Sequence, residues 1–279
     1  MSTSLPMNQT KKIGRSPPDG TLTMRAFISS HPVIPKTLSI VLFLLAWEVA
    51  GRVPISYAFP TFTSTFAAFS RMIADGSLIG AYLITLQPLI IGVAISAMLG
   101  VSLGVLMGLS KKAEWFAAPM FIVLQSAPMA ALIPLITFVY GIGLVAKTLA
   151  VIMLALPVIV LNGYKAVRNA NPSLVAMCRS FQGTRLQQIT KIIMPDASPV
   201  IFAGLRLGLA AGFIGVILAE LLITPTGIGD LITYHRSVAN YAEMYAAVAS
   251  IILVSTITLT LLEAFELRVL RPDKKRSSK

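Results

Sequence analysis

The amino-acid sequence predicts an all-α integral membrane protein with about six transmembrane helices. Of its 279 residues, 56% are hydrophobic and only 12% are charged, and the mean hydropathy is +0.80. A typical soluble domain contains about twice that share of charged residues. The apolar residues occur in long runs rather than in the alternation that a half-buried surface element needs. We therefore expect lipid to surround most of the chain.

A helix that crosses a bilayer core about 30 Å thick needs roughly 20 predominantly apolar residues. The segments that come closest are Thr37–Ala50, Ile84–Leu109, Phe116–Tyr140, Leu144–Tyr164, Val200–Ile223 and Tyr245–Phe265. They predict a transmembrane domain over residues 37–268, between an N-terminal tail (1–36) and a basic C-terminal tail (269–279). The N-terminal tail lacks the charged, apolar and small-residue order of a signal peptide, so we expect it to be retained.

The distribution of basic residues predicts the orientation of these helices, because Lys and Arg accumulate in short cytoplasmic loops. The tails and every second loop carry eighteen of them, whereas the alternate loops carry only Arg52, Arg71, Lys147 and Arg236. The eighteen are Lys11, Lys12, Arg15, Arg25, Lys36, Lys111, Lys112, Lys165, Arg168, Arg179, Arg185, Lys191, Arg268, Arg271, Lys274, Lys275, Arg276 and Lys279. Both termini are therefore predicted to be cytoplasmic. The net charge of +12 is explained by topology rather than by nucleic-acid binding.

The loop between the fourth and fifth predicted spans, residues 165–199, is longer than a simple connection requires. Long loops inside a compact domain are usually functional. Its sequence predicts two short helices, one after Pro172 and one over Arg185–Met194, with a break at Gly183. On the second helix an apolar stripe should lie against the membrane domain while the polar residues face away. The stripe is Leu186, Ile189, Ile192 and Ile193, and the polar residues are Arg185, Gln188 and Lys191.

Four segments of this loop and of the span that follows it carry a resemblance: RSFQGTRLQ (179–187), IMPDASP (193–199), AGLRLGL (203–209) and AEL (219–221). In them the chain resembles the binding-protein-dependent ABC permeases, in particular the nitrate, sulfonate and taurine branch, and the loop is similar to the coupling loop of that family. Ala176 stands where that family usually has a Glu, and Gln182 stands where it usually has a Gly, with Gly183 one place later.

The resemblance implies a permease subunit of an ABC importer in the bacterial inner membrane, which carries a small anion delivered by a substrate-binding protein. It also implies ATPase subunits that hold ATP and Mg²⁺, so that this chain needs no cofactor, and a second permease copy in a homodimer. The positions that match the ATPase-coupling turn are Ala176, Arg179, Ser180, Phe181, Gln182, Gly183, Thr184 and Arg185.

Charged residues and prolines inside the apolar segments are further candidates. Glu220 and Arg206 fall in the fifth span, where inserting an unpaired charge into the bilayer costs at least roughly 2.5–3.5 kcal/mol. Each therefore needs a partner of opposite charge or a water-filled cavity. Glu220 is either a gating residue or an interfacial one. Pro128 and Pro134 either kink the third span or line the transport pathway. Two glycine series favour close helix packing over pore lining: Gly92, Gly100, Gly104, Gly108 and Gly204, Gly208, Gly212, Gly215.

Two other classes of membrane protein compete with the permease. A secondary transporter commonly has ten or more spans with internal repeats, which this chain does not display. A membrane-bound enzyme would need a nucleophile, base or metal cluster, and the sequence holds a single cysteine, Cys178, and two histidines, His31 and His235. No phosphate-binding loop of the GxxxxGK[ST] type occurs, so the energy for transport must come from another chain.

Overall fold

The structure, a computed structural model, describes residues 33–53 and 58–270. Residues 1–32 and 271–279, which make up most of the two predicted tails, lie outside these ranges. All regular secondary structure within the described ranges is helical. The first described helix, α1 (Val33–Arg52), contains the first predicted span and belongs to the N-terminal unit of the chain. Its Glu48 and Arg52, one turn apart, pair at 2.8 Å.

The larger unit, residues 56–279, carries ten helices within its described part. They are α2 (Phe62–Ala74), α3 (Ser77–Leu109), α4 (Lys111–Ser126), α5 (Met129–Tyr140), α6 (Leu144–Arg168), α7 (Pro172–Ser180), α8 (Arg185–Gln188), α9 (Met194–Leu222), α10 (Ile228–Ser237) and α11 (Tyr241–Leu270). A π-helical turn, Ile189–Ile193, joins α8 to α9.

Four helices of the described part are long and apolar enough to cross a membrane. They are α3, α6, the continuous helix Arg185–Leu222 and the segment Tyr241–Arg268 of α11. A fifth span is obtained if α4 and α5 are counted together. These helices correspond to five of the six predicted segments, whereas α1 does not meet the same criteria of length and composition.

The core of the bundle is α6, which packs between α3 and α9. Glycines make this possible: a Cβ added to Gly104 of α3 would lie 2.7 Å from the Val160 carbonyl oxygen of α6. A Cβ on Gly215 of α9 would lie 2.8 Å from the Ala150 carbonyl oxygen of the same helix. Both glycine series therefore serve helix packing, as predicted, since any side chain there would push the backbones apart.

The predicted third span, Phe116–Tyr140, is not one straight helix. It divides into α4 and α5, whose axes meet at 101°. The break lies at Pro128, which has no N–H and keeps Ala127 extended at φ −66°, ψ 141°. Pro134 lies inside α5 without ending it.

An amphipathic helix not predicted from the sequence, α2, precedes the first long span. Thr61 caps it by accepting a hydrogen bond from the Ser64 N–H at 3.2 Å. Its buried residues Thr65, Ala68 and Met72 repeat at helical spacing, and they pack against α3, α10 and α11. The following turn is closed by Asp75, which accepts from the Ser77 N–H, and this bond lowers the pKa of the Asp75 carboxyl from its usual value.

Candidate functional site

The predicted coupling loop begins with α7, whose ends are both fixed. At its start, Pro172 occupies the first turn and the Asn171 side chain accepts from the Ser173 N–H at 3.0 Å. The Asn171 N–H donates to the Asp196 carboxylate at 2.8 Å, which ties the loop to the first turn of α9. The loop therefore has a defined position relative to the bundle.

The turn after α7 is built on two residues, Gln182 and Gly183. The Gln182 N–H donates to the Arg179 carbonyl and the Gly183 N–H to the Cys178 carbonyl, both at 2.9 Å. This pair of bonds is a Schellman motif, in which the residue at the Gln182 position is left-handed and usually Gly. Gln182 adopts φ +57° there without being Gly. The turn geometry is thus present although the residue at the position is Gln.

A capping box starts the next helix. The Thr184 hydroxyl accepts from the Gln187 N–H at 3.3 Å, and the Gln187 side chain accepts from the Thr184 N–H at 2.9 Å. The loop therefore consists of a capped helix, a hydrogen-bonded turn and a second capped helix.

The structure brings the eight predicted coupling residues together at the tip of this loop. Ala176, Arg179 and Ser180 lie on α7, Phe181 to Gly183 form the turn, and Thr184 and Arg185 begin α8. Phe181, in the hydrogen-bonded turn, is 81% exposed.

Two predictions about the second helix of the loop are wrong. It is not a separate element over Arg185–Met194, because the helix runs on without interruption from Arg185 to Leu222. The π-helical turn widens it just before Pro195, where the ring would otherwise press on the carbonyl four residues earlier.

The predicted apolar stripe is also shifted. Leu186 is 70% exposed rather than buried, and Gln188 is buried rather than facing away. The Gln188 amide donates to the Gly183 carbonyl at 3.2 Å, which holds the side chain inside the turn. Ile193 does pack against the bundle, next to Ala166 and Val167 of α6.

At the opposite end of the bundle, Glu220 of α9 is 2% exposed and forms an ion pair with Lys147 of α6 at 2.8 Å. Thr85 of α3 donates to the same carboxylate at 2.9 Å, and the Gly229 N–H donates to it at 3.1 Å. The Lys147 ammonium also donates to the carbonyl and hydroxyl oxygens of Thr226, each at 3.0 Å. One carboxylate thus joins α3, α6, α9 and the start of α10.

The segment Pro225–Asp230, which joins α9 to α10, folds into this network. Gly227 has φ +95°, and a Cβ there would lie 2.2 Å from the Glu220 Oε1. Ile228 is buried, and its N–H donates to the Thr85 hydroxyl at 3.0 Å. Gly227, Ile228 and Gly229 are buried whereas Pro225 and Thr226 are exposed, so only the second half of the turn belongs to the core.

Lys147, expected in a loop from the sequence, has a structural role that the sequence did not predict. The structure places it in the first turn of α6, 3% exposed. Its position three residues inside an apolar run could have indicated this role, because a lysine there needs a partner. Arg206, for which a partner was also required, pairs with Glu266 and Glu263 of α11.

Pro128 and Pro134, the other two predicted pathway residues, are both exposed in the described chain. Pro128 precedes α5, and Pro134 lies on it. Ile133 of the same helix is buried against Ala150 and Ala219, which places α5 beside the helices that carry Lys147 and Glu220.

Residues 96–271 match the family model described as the binding-protein-dependent transport system inner membrane component. The putative aliphatic sulfonates transport permease protein SsuC of Bacillus subtilis is 28% identical, over 81% of this chain and 82% of that protein. The riboflavin transport system permease protein RibX of Chloroflexus aurantiacus is 31% identical, over 56% of this chain and 58% of that protein. The taurine transport system permease protein TauC of Escherichia coli is 25% identical over 60% and 59%.

A solved chain of the MetNI methionine ABC transporter, in an inward-facing conformation, has a similar fold. The TM-score is 0.56 at 18% identity, and the match covers 70% of this chain and 94% of that chain.

Proposed function

Because the chain belongs to the family of binding-protein-dependent transport system inner membrane components, we propose that its loop 165–199 docks into a separate ATPase subunit. The protein is the permease subunit of an ABC importer. ATP and Mg²⁺ would bind on the ATPase, and this chain would supply the transport pathway.

The exposed and internally hydrogen-bonded tip of the loop carries this proposal. A helix that transmits displacement to a membrane domain must move as a rigid body. The caps at Asn171 and Thr184 and the hydrogen-bonded turn at Gln182 supply that rigidity. Phe181 offers an aromatic side chain to a partner, and buried aromatic residues often dominate the binding energy of an interface.

The direct continuation of this loop into α9 supports the same role. The helix that begins at Arg185, beside the exposed turn, ends at Leu222, two residues after Glu220. A movement of the loop would therefore reach the Lys147–Glu220 pair through one helix. We propose that this pair closes the pathway at the outer end and that its geometry changes during the transport cycle.

The proposed topology has six spans, with α1 as the first and the bent pair α4–α5 as the third. The loop lies between the fourth and fifth spans on the cytoplasmic side of the bacterial inner membrane, and both termini are cytoplasmic. The excess of Lys and Arg in the tails and in every second loop supports this orientation. Six spans form only half of a pore, and a second copy of the chain would complete it.

The proposed substrate is a small anion of the sulfonate, taurine, nitrate or aromatic-acid type, which a substrate-binding protein delivers. Relatives named for aliphatic sulfonates and taurine support this class. The riboflavin-named relative matches a smaller share of the chain than the sulfonate-named one.

Purification of the chain with the products of its neighbouring genes tests the docking proposal. A cross-linker attached at Cys178, or at Cys introduced by Thr184→Cys, should capture an ATPase subunit. Transport by the reconstituted complex should require ATP and the binding protein. Solute uptake by this chain alone in liposomes, driven only by an ion gradient, would contradict the proposal and favour a secondary transporter.

A further inference from the structure

A cavity of about 660 Å³ lies between the loop and the adjoining ends of α3 and α6. Three arginines line it: Arg168 at the end of α6, Arg179 on α7 and Arg185 at the start of α8. We call this cavity the arginine pocket. No Asp or Glu is among the residues that line it.

The positive charge of the arginine pocket is poorly compensated within the described part of the chain. Arg179 and Arg185 make no ion pair there, and Arg168 reaches only Glu114, at 3.8 Å. That carboxylate also accepts from the Tyr164 hydroxyl. Residues 172–195 contain no Asp or Glu at all. Asp196 is close in sequence, but it accepts from the Asn171 N–H instead.

The remaining walls of the arginine pocket are largely apolar. They include Leu109, Val167, Val175, Ile189 and Ile193. Guanidinium groups bind phosphate and sulfonate oxygens through paired N–H donors, and an apolar wall favours a ligand with a hydrocarbon part. A cavity with both properties suits an amphiphilic oxyanion better than an inorganic one.

We propose that the arginine pocket binds a phosphate or sulfonate group that is joined to an apolar chain. Two sources have this chemistry: the headgroup of an anionic phospholipid and a soluble organic sulfonate or phosphate. A bound oxyanion would contact α6, α7 and α8 at once, and would therefore hold the loop against the bundle. The effect on coupling rests on the proposed function, but the binding itself does not.

The test uses the purified full chain without any ATPase, in nanodiscs of phosphatidylcholine. One arm titrates phosphatidylglycerol and detects bound lipid by native mass spectrometry. The other arm titrates 1-octanesulfonate and measures binding by calorimetry. Both arms compare the wild type with Arg179→Gln/Arg185→Gln. The control, Lys111→Gln/Lys112→Gln, removes the same charge at the start of α4, outside the pocket lining.

We expect saturable binding in at least one arm, at least about tenfold weaker in the arginine variant and within about twofold of wild type in the control. Binding only of the lipid identifies a membrane source, and binding only of the sulfonate identifies a soluble one. No saturable binding in either arm, or an equal loss in the control, would overturn the proposal. If the Gln variant does not fold, Arg179→Lys/Arg185→Lys replaces it, and wild-type affinity in that variant would overturn recognition by guanidinium groups. Because no ATPase is present, these outcomes are independent of the docking test.

Discussion

Lys147 and Glu220 are 73 positions apart in the sequence and form a 2.8 Å ion pair that is closed off from the surface. All three protons of the Lys147 ammonium have acceptors, on Glu220 and Thr226. The carboxylate in turn accepts from Lys147, Thr85 and the Gly229 N–H. A buried pair resists separation when its remaining hydrogen-bonding groups are also satisfied, as they are here.

Replacing Lys147 with Met should destabilise the protein strongly. Glu220 would remain buried without its countercharge, and the expected loss in the free energy of unfolding is about 3–5 kcal/mol. Thermal unfolding of the purified chain in detergent measures this loss. The double variant Lys147→Met/Glu220→Gln should recover part of it, because it leaves no buried charge.

Arg71 and Glu243 provide a matched control, since their ion pair has the same 2.8 Å separation. The Arg71 side chain is 64% exposed, so Arg71→Met should cost less than about 1 kcal/mol. Equal losses of stability in Arg71→Met and Lys147→Met would show that burial does not determine how much the Lys147–Glu220 pair contributes to the free energy of unfolding.

The turn at Gln182 predicts opposite effects for two neighbouring substitutions. Gln182→Gly should stabilise the loop by up to about 1 kcal/mol, because a left-handed conformation costs a side-chain-bearing residue about 1–2 kcal/mol and Gly loses part of that gain as entropy. Gly183→Ala should destabilise it by about 1–3 kcal/mol, since a Cβ would lie 2.4 Å from the Cys178 sulfur and 2.9 Å from the Cys178 carbonyl oxygen.

Limited trypsin digestion measures both effects, because Arg179 and Arg185 flank the turn. Gln182→Gly should slow cleavage there and Gly183→Ala should accelerate it. Gly80→Ala in α3 is the control, since a Cβ there meets nothing within 4 Å. Faster cleavage of Gln182→Gly than of the wild type would contradict the assigned turn.

Gly104→Ala should destabilise the bundle because the α3 and α6 backbones meet there. The added Cβ would lie 2.7 Å from the Val160 carbonyl oxygen and 3.0 Å from the Tyr164 nitrogen, and neither backbone atom can move by side-chain rotation. The expected cost is about 1–3 kcal/mol. Thermal unfolding in detergent, again with Gly80→Ala as the control, checks it; an unchanged melting temperature would exclude the close approach.

The sequence correctly predicted those features that depend on residues close together along the chain. Apolar runs locate the long helices, and the four-residue spacing of glycines such as Gly100, Gly104 and Gly108 predicts a packed face. The break at Pro128 likewise follows from local backbone chemistry, although its 101° angle does not. That angle depends on what α5 packs against after the break.

The features that the sequence did not predict depend on tertiary contacts. The partner of Glu220 could not be found by spacing along α9, since Lys147 comes from another helix. The burial of Gln188 depends on a bond to Gly183 across the turn, which hydrophobic periodicity does not describe. The turn after α7 has the hydrogen bonds of a Schellman motif, which the residue type at Gln182 did not predict.

Phe181→Ala should impair function without affecting the fold. Because the side chain is 81% exposed, its removal should change the free energy of unfolding by no more than about 0.5 kcal/mol. In an interface with the ATPase, loss of a central aromatic residue costs about 2 kcal/mol or more, so we expect affinity for the ATPase to fall at least tenfold. ATP-dependent uptake by proteoliposomes and co-purification with the ATPase measure this. Phe138→Ala removes another exposed ring, 89% exposed, from α5, outside the loop, and should leave both unchanged. Normal uptake by Phe181→Ala would mean that the turn does not carry the coupling contact.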